Sequence, residues 1–258
     1  MFTSIVAAIF GLAIGSFLNV CIYRLPEKKS IVFPGSHCPN CNTFIKWYDN
    51  IPVLSFIVLG AKCRHCKKKI SYRYPSVELI TALLTALFVY KFGITIWLTV
   101  SLVAVYALIV LSFIDLQTFT IPDELSLGIL VLGFLTSFLN PNFSGEVLYK
   151  FAQSLIGILC GFGLIYLTAV IGEFLFKKEA MGGGDIKLLA GVGAFVGWQG
   201  VISTLIIGSL AGTLYGVYLL VTKKIKKRDP IPFGPFLSIG AIVNLYQVVS
   251  FWDILNKF

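Results

Sequence analysis

Long apolar stretches separated by short polar or basic turns run through most of this chain, and their lengths predict membrane spans rather than the one-sided stripes of soluble helices. Residues 2–23 form the first, about as long as the roughly 20 helical residues that cross a hydrocarbon core. Further spans are expected at 75–93, 94–114, 121–139, 147–176, 186–198, 200–221 and 233–252. The segment 186–198 is short and rich in glycine, so it is the one expected to tilt, break or run into its neighbour. The fold class that follows is an all-α integral membrane protein with about eight transmembrane helices. Residues 24–75 are the one long polar stretch, which divides the chain into a first transmembrane helix (1–23), a loop (24–75) and a polytopic membrane domain (76–258). Within the loop, residues 51–60 are apolar but only about half a span in length, suited to lying on the membrane surface or to walling a substrate groove.

Composition agrees with the pattern. With 57% hydrophobic and 13% charged residues and a mean hydropathy of +0.88, the 258-residue chain is too apolar for a soluble domain. Residues 2–23 lack a basic flank before the apolar run and a small-residue cleavage site after it, so they read as a retained anchor rather than a cleaved signal. The formal charge of +9 raises the question of nucleic acid, but the basic residues are grouped in loops between spans. No nucleic-acid partner is therefore expected. With the N-terminus outside, the inner loops carry 18 of the 21 lysines and arginines and leave Lys91, Lys150 and Lys257 outside. The positive-inside rule thus places the loop 24–75 and the turns after residues 114 and 176 on the cytoplasmic side.

Four of the six cysteines lie in that loop as Cys38-Pro-Asn-Cys41 and Cys63-Arg-His-Cys66, with 21 residues between the pairs. Two short turns, each aiming two thiolates at one ion, are the pattern of a closed tetrahedral zinc ribbon. Paired disulfides or redox dithiols are the alternative, weakened where thiols stay reduced. His37 and His65 flank the cysteines but are not needed once four thiolates are present. Cys21 and Cys160 fall in apolar spans and read as small hydrophobes.

The remaining candidate chemistry is acidic. Asp115 ends one apolar run, and Asp185 follows Gly182, Gly183 and Gly184 at the start of another. A carboxylate at membrane depth is costly unless paired, hydrated or used. Two sharing a site can divide one proton, leaving one to polarise water and the other to act as an acid, which favours peptide hydrolysis. Glycines beside them let a substrate strand approach closely. The competing reading makes the glycines a flexible turn and Asp185 an N-cap for a helix beginning at Ile186. A phosphate loop is excluded because Leu188, not Ser or Thr, follows Lys187. Asp123 after Pro122, and Glu78 near the start of its span, read as acids suited to a helix N-terminus. Gly11 and Gly15 form a small-residue packing face, and Asn19, an amide within the same span, requires an internal partner.

Taken in order, the segment from Gly15-Ser-Phe-Leu-Asn to Arg24-Leu-Pro26, the two Cys-x-x-Cys pairs, the Asp115 segment and the GxGD form at Gly182 to Asp185 resemble the type IV prepilin peptidases, which are GxGD-type intramembrane aspartyl proteases. The resemblance covers nearly the whole chain. It implies an aspartic endopeptidase in the bacterial inner membrane, its active site facing the cytoplasm, that cuts a basic leader from prepilin-like precursors. It assigns the reacting acids to Asp115 and Asp185. It also implies N-methylation of the new N-terminus with S-adenosylmethionine, an activity associated with the cysteine-bearing loop, although no methyl-donor fingerprint is present and those residues are unknown. A peptidase without methyltransferase activity is the alternative, and an ion-coupled transporter a more distant one, since inverted repeats are not evident.

Overall fold

The computed structural model describes residues 2–177, 181–226 and 229–249. Eight α-helices are present among them: α1 (Phe2–Arg24), α2 (Leu54–Val58), α3 (Arg73–Phe92), α4 (Ile96–Thr118), α5 (Asp123–Leu135), α6 (Val147–Phe176), α7 (Gly183–Val221) and α8 (Gly234–Tyr246). Short 3-10 turns lie at Trp47–Asn50 and Ser137–Leu139, and the described residues contain no β-strand, only two isolated bridges. Five helices, α1, α3, α4, α6 and α7, are long and apolar enough to cross a membrane. Exposed side chains such as Leu155, Leu159, Phe162 and Leu167 on α6 give the apolar surface that such a helix turns to lipid. The protein is thus an all-helical, multi-pass membrane protein. The chain forms two compact units, Met1–Leu98 and Thr99–Phe258.

In the first unit α1 packs along α3 through the small-residue face. A Cβ on Gly11 would lie 2.7 Å from Ala82 Cα, and one on Gly15 2.7 Å from Glu78 Cα, so the helix backbones meet closely at both positions. Thr81 and Thr85 return their hydroxyls to Val77 O (2.7 Å) and Thr81 O (2.6 Å), which lets polar residues sit in the seam without an unmet donor. Glu78 is not a helix-start acid. It is buried in the body of α3, where its Oε2 accepts the Val53 N–H at 2.7 Å and ties the cysteine-bearing loop to the helix.

The second unit is built around α7, which packs on α5, α6 and α8. The expected division between residues 186–198 and 200–221 is present: α7 consists of two helical stretches that meet at a kink. The non-helical residue is Gly197 (φ 68°, ψ −178°), a conformation open in practice only to glycine. There the chain turns back: Gly184 packs on Ile121, Gly234 packs on the same Ile121, and Gly216, near the far end of α7, packs on Ile231. Both ends of α7 therefore lie at one end of the unit. Asn140 Nδ2 donates to Phe195 O (2.6 Å) and Ser154 Oγ to Ala194 O (2.9 Å), capturing carbonyls just before the turn. Gly157 of α6 and Gly193 of α7 meet so closely that a side chain on either would strike the other's backbone.

Two expected spans are shorter than their apolar runs. The segment expected at 121–139 is helical only over Asp123–Leu135, about 20 Å at 1.5 Å per residue, before the 3-10 turn at Ser137–Leu139. The last, expected at 233–252, is helical over Gly234–Tyr246, and residues 250–252 lie outside the described residues.

Candidate active site

Asp115 sits in the last turn of α4, and the chain leaves that helix through Phe119, whose φ of 54° reverses its direction. Ile121 then reaches back between two other segments. A Cβ on Gly184 would lie 2.8 Å from Ile121 Cβ, and one on Gly234 would lie 3.2 Å from Ile121 Cδ1. Three segments distant in sequence converge on this one side chain: the end of α4, the start of α7 and the start of α8.

The two acids lie in that convergence, both buried, Asp115 5% and Asp185 9% exposed. Asp115 Oδ2 accepts the backbone N–H of Gly234 at 3.0 Å, in the first turn of α8. An amide at a helix N-terminus offers a carboxylate both a hydrogen bond and the positive end of the helix dipole. Asp185 lies in the first turn of α7, with its N–H on Gly182 O at 3.1 Å. The N-cap is Gly182, not Asp185, and the helix begins at Gly183 rather than Ile186. Released from capping, Asp185 has a side-chain oxygen, Oδ1, that is buried without a hydrogen-bond partner among the described residues. Asp115, bonded to Gly234, and Asp185, next to Gly184, thus flank the same Ile121 side chain. Such a buried pair can share a proton and present one oxygen to a water or a peptide carbonyl.

Asp123 is arranged differently. Both its oxygens accept from Lys187 Nζ at 2.7 Å, in an ion pair whose side chains are 55% and 43% exposed. It faces solvent with its charge matched. Of the glycines, Gly184 packs on Ile121, while a Cβ on Gly183 would meet open space and one on Gly182 would lie 3.7 Å from Asp185 Oδ2. Sequence reasoning did not single out Gly234. Its one signal was the run Pro232-Phe-Gly-Pro235, which marks a turn but does not tell what the turn holds.

The cysteines form a second cluster, within the first unit. The Sγ atoms of Cys38, Cys41, Cys63 and Cys66 all lie within 4.8 Å of one another, and Cys38 Sγ is 3.9 Å from Cys66 Sγ. Four sulfurs around a tetrahedral zinc at ~2.3 Å are about 3.8 Å apart, so the cluster fits that ion. The two knuckles repeat one hydrogen-bond pattern. Cys38 N–H donates to Thr43 O (3.0 Å) and Asn42 N–H to Cys38 O (2.9 Å), while Cys63 N–H donates to Lys68 O (2.9 Å) and Lys67 N–H to Cys63 O (3.1 Å). Asn42 (φ 52°) and Lys67 (φ 57°) take the left-handed conformation that closes each turn. Bridges His37–Phe44 and Lys62–Lys69 pin the knuckle bases. His37 is turned to Gly35 O (3.1 Å), and all six cysteines are free thiols. The hydroxyl of Thr43, 3.4 Å away, and then its backbone amide stabilise the Cys41 thiolate and lower its pKa to about 6.

Residues 9–92 match the bacterial peptidase A24 N-terminal domain and residues 102–217 match the type IV leader peptidase family. Among curated proteins, the prepilin leader peptidase/N-methyltransferase of Aeromonas salmonicida is 36% identical over 262 residues, covering 92% of this chain and 88% of the relative. The protein of the same name from Pseudomonas aeruginosa is 34% identical over 260 residues, again 92% and 88% of the two chains. The one from Legionella pneumophila is 35% identical over 270 residues, 95% and 91%. No solved structure matches.

Proposed function

Since the chain belongs to the type IV leader peptidase family, we propose that it cleaves the leader from prepilin-like precursors with the pair Asp115 and Asp185, and N-methylates the amine that cleavage exposes. The observation that supports the hydrolytic reading is the convergence on Ile121, beside which two buried carboxyl groups lie. One acid takes a proton from water as it attacks the scissile carbonyl. The other gives a proton to the carbonyl oxygen, so the tetrahedral intermediate forms without a second full negative charge between the acids. The protons move within the pair. The hydrogen bond from Gly234 orients Asp115, and the unpartnered Asp185 Oδ1 is free to meet water or substrate. Gly182 and Gly183, whose missing side chains would face open space or the acid itself, leave room for an extended substrate strand.

Cys38, Cys41, Cys63 and Cys66 would hold a zinc ion, whose four thiolates leave no open position, so its part is to fold the loop rather than to activate water. The methyl donor is S-adenosylmethionine, as the family resemblance implies. The loop and the acids face the cytoplasm, where the positive-inside distribution supports them. The test is to incubate the purified protein with a pilin-type precursor and labelled S-adenosylmethionine and to weigh the product. Loss of the leader with gain of one labelled methyl group is expected. An unchanged mass across several such precursors would refute the assignment.

A further inference from the structure

Between the two cysteine knuckles the chain forms a small apolar wedge, the 3-10 turn Trp47–Asn50 followed by α2 (Leu54–Val58). Side-chain contacts hold its parts together. Arg64 of the second knuckle donates from Nε and Nη2 to the two oxygens of Asp49 (2.7 and 2.6 Å), and Ser55 Oγ donates to Tyr48 O (3.0 Å). Phe56 lies against Tyr72, the residue before α3, with ring centroids 5.4 Å apart. With Ser55 and Phe56 engaged in this way, the other side of α2 belongs to Leu54, Ile57 and Val58. The i, i+3, i+4 spacing puts these three on one face, and all are more than half exposed. Trp47, in the adjoining turn, is more exposed still. A joined apolar face of this kind marks an interaction surface.

Its depth indicates what covers it. Helix α3 begins at Arg73 and has Lys91 in its last turn, and its 20 residues rise about 30 Å, the thickness of a hydrocarbon core. Glu78 stands about 7.5 Å along the axis from Arg73. Its Oε2 accepts the N–H of Val53 at 2.7 Å, and Val53 is the residue from which α2 starts. The wedge is therefore tied to the body of the span and not to its end. At that level of α3 the exposed side chains are Leu79, Ile80 and Leu83, the kind that a spanning helix turns to acyl chains. Segments lying in a membrane surface bury their apolar face ~5–10 Å into the boundary between headgroups and chains, which is the depth this bond sets. Charge agrees with that placing. Residues 24–73 carry ten lysines and arginines against Glu27 and Asp49, an excess that a doubly negative zinc tetrathiolate would not cancel. Such a loop attracts anionic headgroups and repels a second copy of itself.

We propose that Trp47, Leu54, Ile57 and Val58 insert among the upper acyl chains of the lipid leaflet on the loop's side of the membrane, while Lys46 and Lys62, exposed at the two ends of the wedge, meet anionic headgroups. Of the two roles open to residues 51–60, lying on the membrane or walling a substrate groove, this selects the first. The bond between Val53 and Glu78 sets the depth of insertion, and the pair Arg64–Asp49 carries that depth to the second knuckle. The cysteine cluster is thereby held at a fixed height on the bilayer by lipid contact as well as by α1 and α3.

The test places the photocrosslinker p-benzoylphenylalanine at Ile57, and separately at Leu54, in the full-length protein reconstituted into vesicles of phosphatidylcholine and phosphatidylglycerol. Lys68, exposed in the second knuckle with its Nζ 3.4 Å from Asn40 Oδ1, is the control position in water. After irradiation the products are identified by mass. Adducts with a phospholipid acyl chain should form at Ile57 and Leu54 at least about tenfold more often than at Lys68, because only a probe below the headgroups reaches the chains. An unfolding temperature equal to that of wild type shows that a labelled chain is folded, and the second position supplies the reading if the first disturbs the wedge. Lipid adducts no more frequent than at Lys68 would overturn the inference and leave the face in water. Cross-linked pairs of chains in place of lipid adducts would overturn it too, and would assign the face to a second copy.

Discussion

Replacing Gly234 by alanine adds one carbon where the structure has least room for it. The new Cβ would lie 2.7 Å from Asp115 Oδ2 and 3.2 Å from Ile121 Cδ1. Normal contact of a carbon with an oxygen requires more than ~3.2 Å, so the carboxylate or the start of α8 must move by about half an ångström or more. Either movement lengthens the 3.0 Å bond from Gly234 N–H to Asp115 Oδ2. A hydrogen bond to a charged group is worth about 1.5–3 kcal/mol, which corresponds to roughly a 10- to 150-fold loss in rate if it is spent on holding the acid in its reactive position. Gly234 is in the first turn of α8 with φ in the helical range, so alanine brings no backbone strain there and the effect isolates the contact. The assay is kcat/KM for cleavage of a pilin-type precursor in detergent or liposomes, with thermal unfolding measured alongside. Gly234→Ala should lose between one and two orders of magnitude with little change in unfolding temperature. Activity within about threefold of wild type would show that Asp115 does not depend on this amide, and the placing of Asp115 by α8 would be wrong.

Asp115→Asn and Asp185→Asn should each lower cleavage by at least ~10³-fold, because members of a catalytic unit fail together. Asp123→Asn, which breaks only a solvent-exposed ion pair with Lys187, should stay within about threefold, and the same precursor assay reads all three. Cys38→Ser with Cys41→Ser should reduce bound zinc from about one per chain to none and open the loop to protease, as metal analysis and limited proteolysis will report. Zinc needs thiolates, so acid competes with it. The Cys66 thiol, which the Lys68 amide favours as thiolate but burial and neighbouring thiols push up to about 11, would release its proton to solvent only as the metal binds, and zinc should dissociate progressively as pH falls from ~7.5 to ~5. Gly197→Ala must hold φ 68° and ψ −178° with a Cβ 3.2 Å from Phe143, so it should destabilise the second unit by about 1–3 kcal/mol in thermal unfolding.

Much of the architecture follows from local properties of the chain. A bilayer cannot hydrate backbone amides, so an apolar run of sufficient length must be helical, and helices α1, α3, α4 and α6 lie close to their expected positions. The two cysteine knuckles were equally legible, because each Cys-x-x-Cys turn is closed by hydrogen bonds within a few residues of itself. Less legible were the ends of α5 and α8, where hydropathy continues beyond the helix: an apolar residue after the last turn looks the same in sequence whether it prolongs a helix or packs beneath one. Gly197 was one glycine among several in its segment, and only the packing of Gly184, Gly216 and Gly234 reveals that the chain reverses there.

The two acids show the same division. Hydropathy alone marked Asp115 and Asp185 as charges at the ends of apolar runs, and the order of motifs pointed to their partnership. That Asp123 is matched by Lys187 while Asp115 is held by Gly234 depends on contacts across 64 and 119 residues of chain. Glu78 carried the same ambiguity, an acid near a helix start that suited the dipole, until the fold placed the Val53 amide against it. Residue type and span length are one-dimensional properties and can be read in order along the chain. Which buried polar atom finds a partner is settled only when distant backbones approach within a hydrogen bond of one another, and that is where Asn19 Oδ1 and Asp185 Oδ1 are left without one among the described residues.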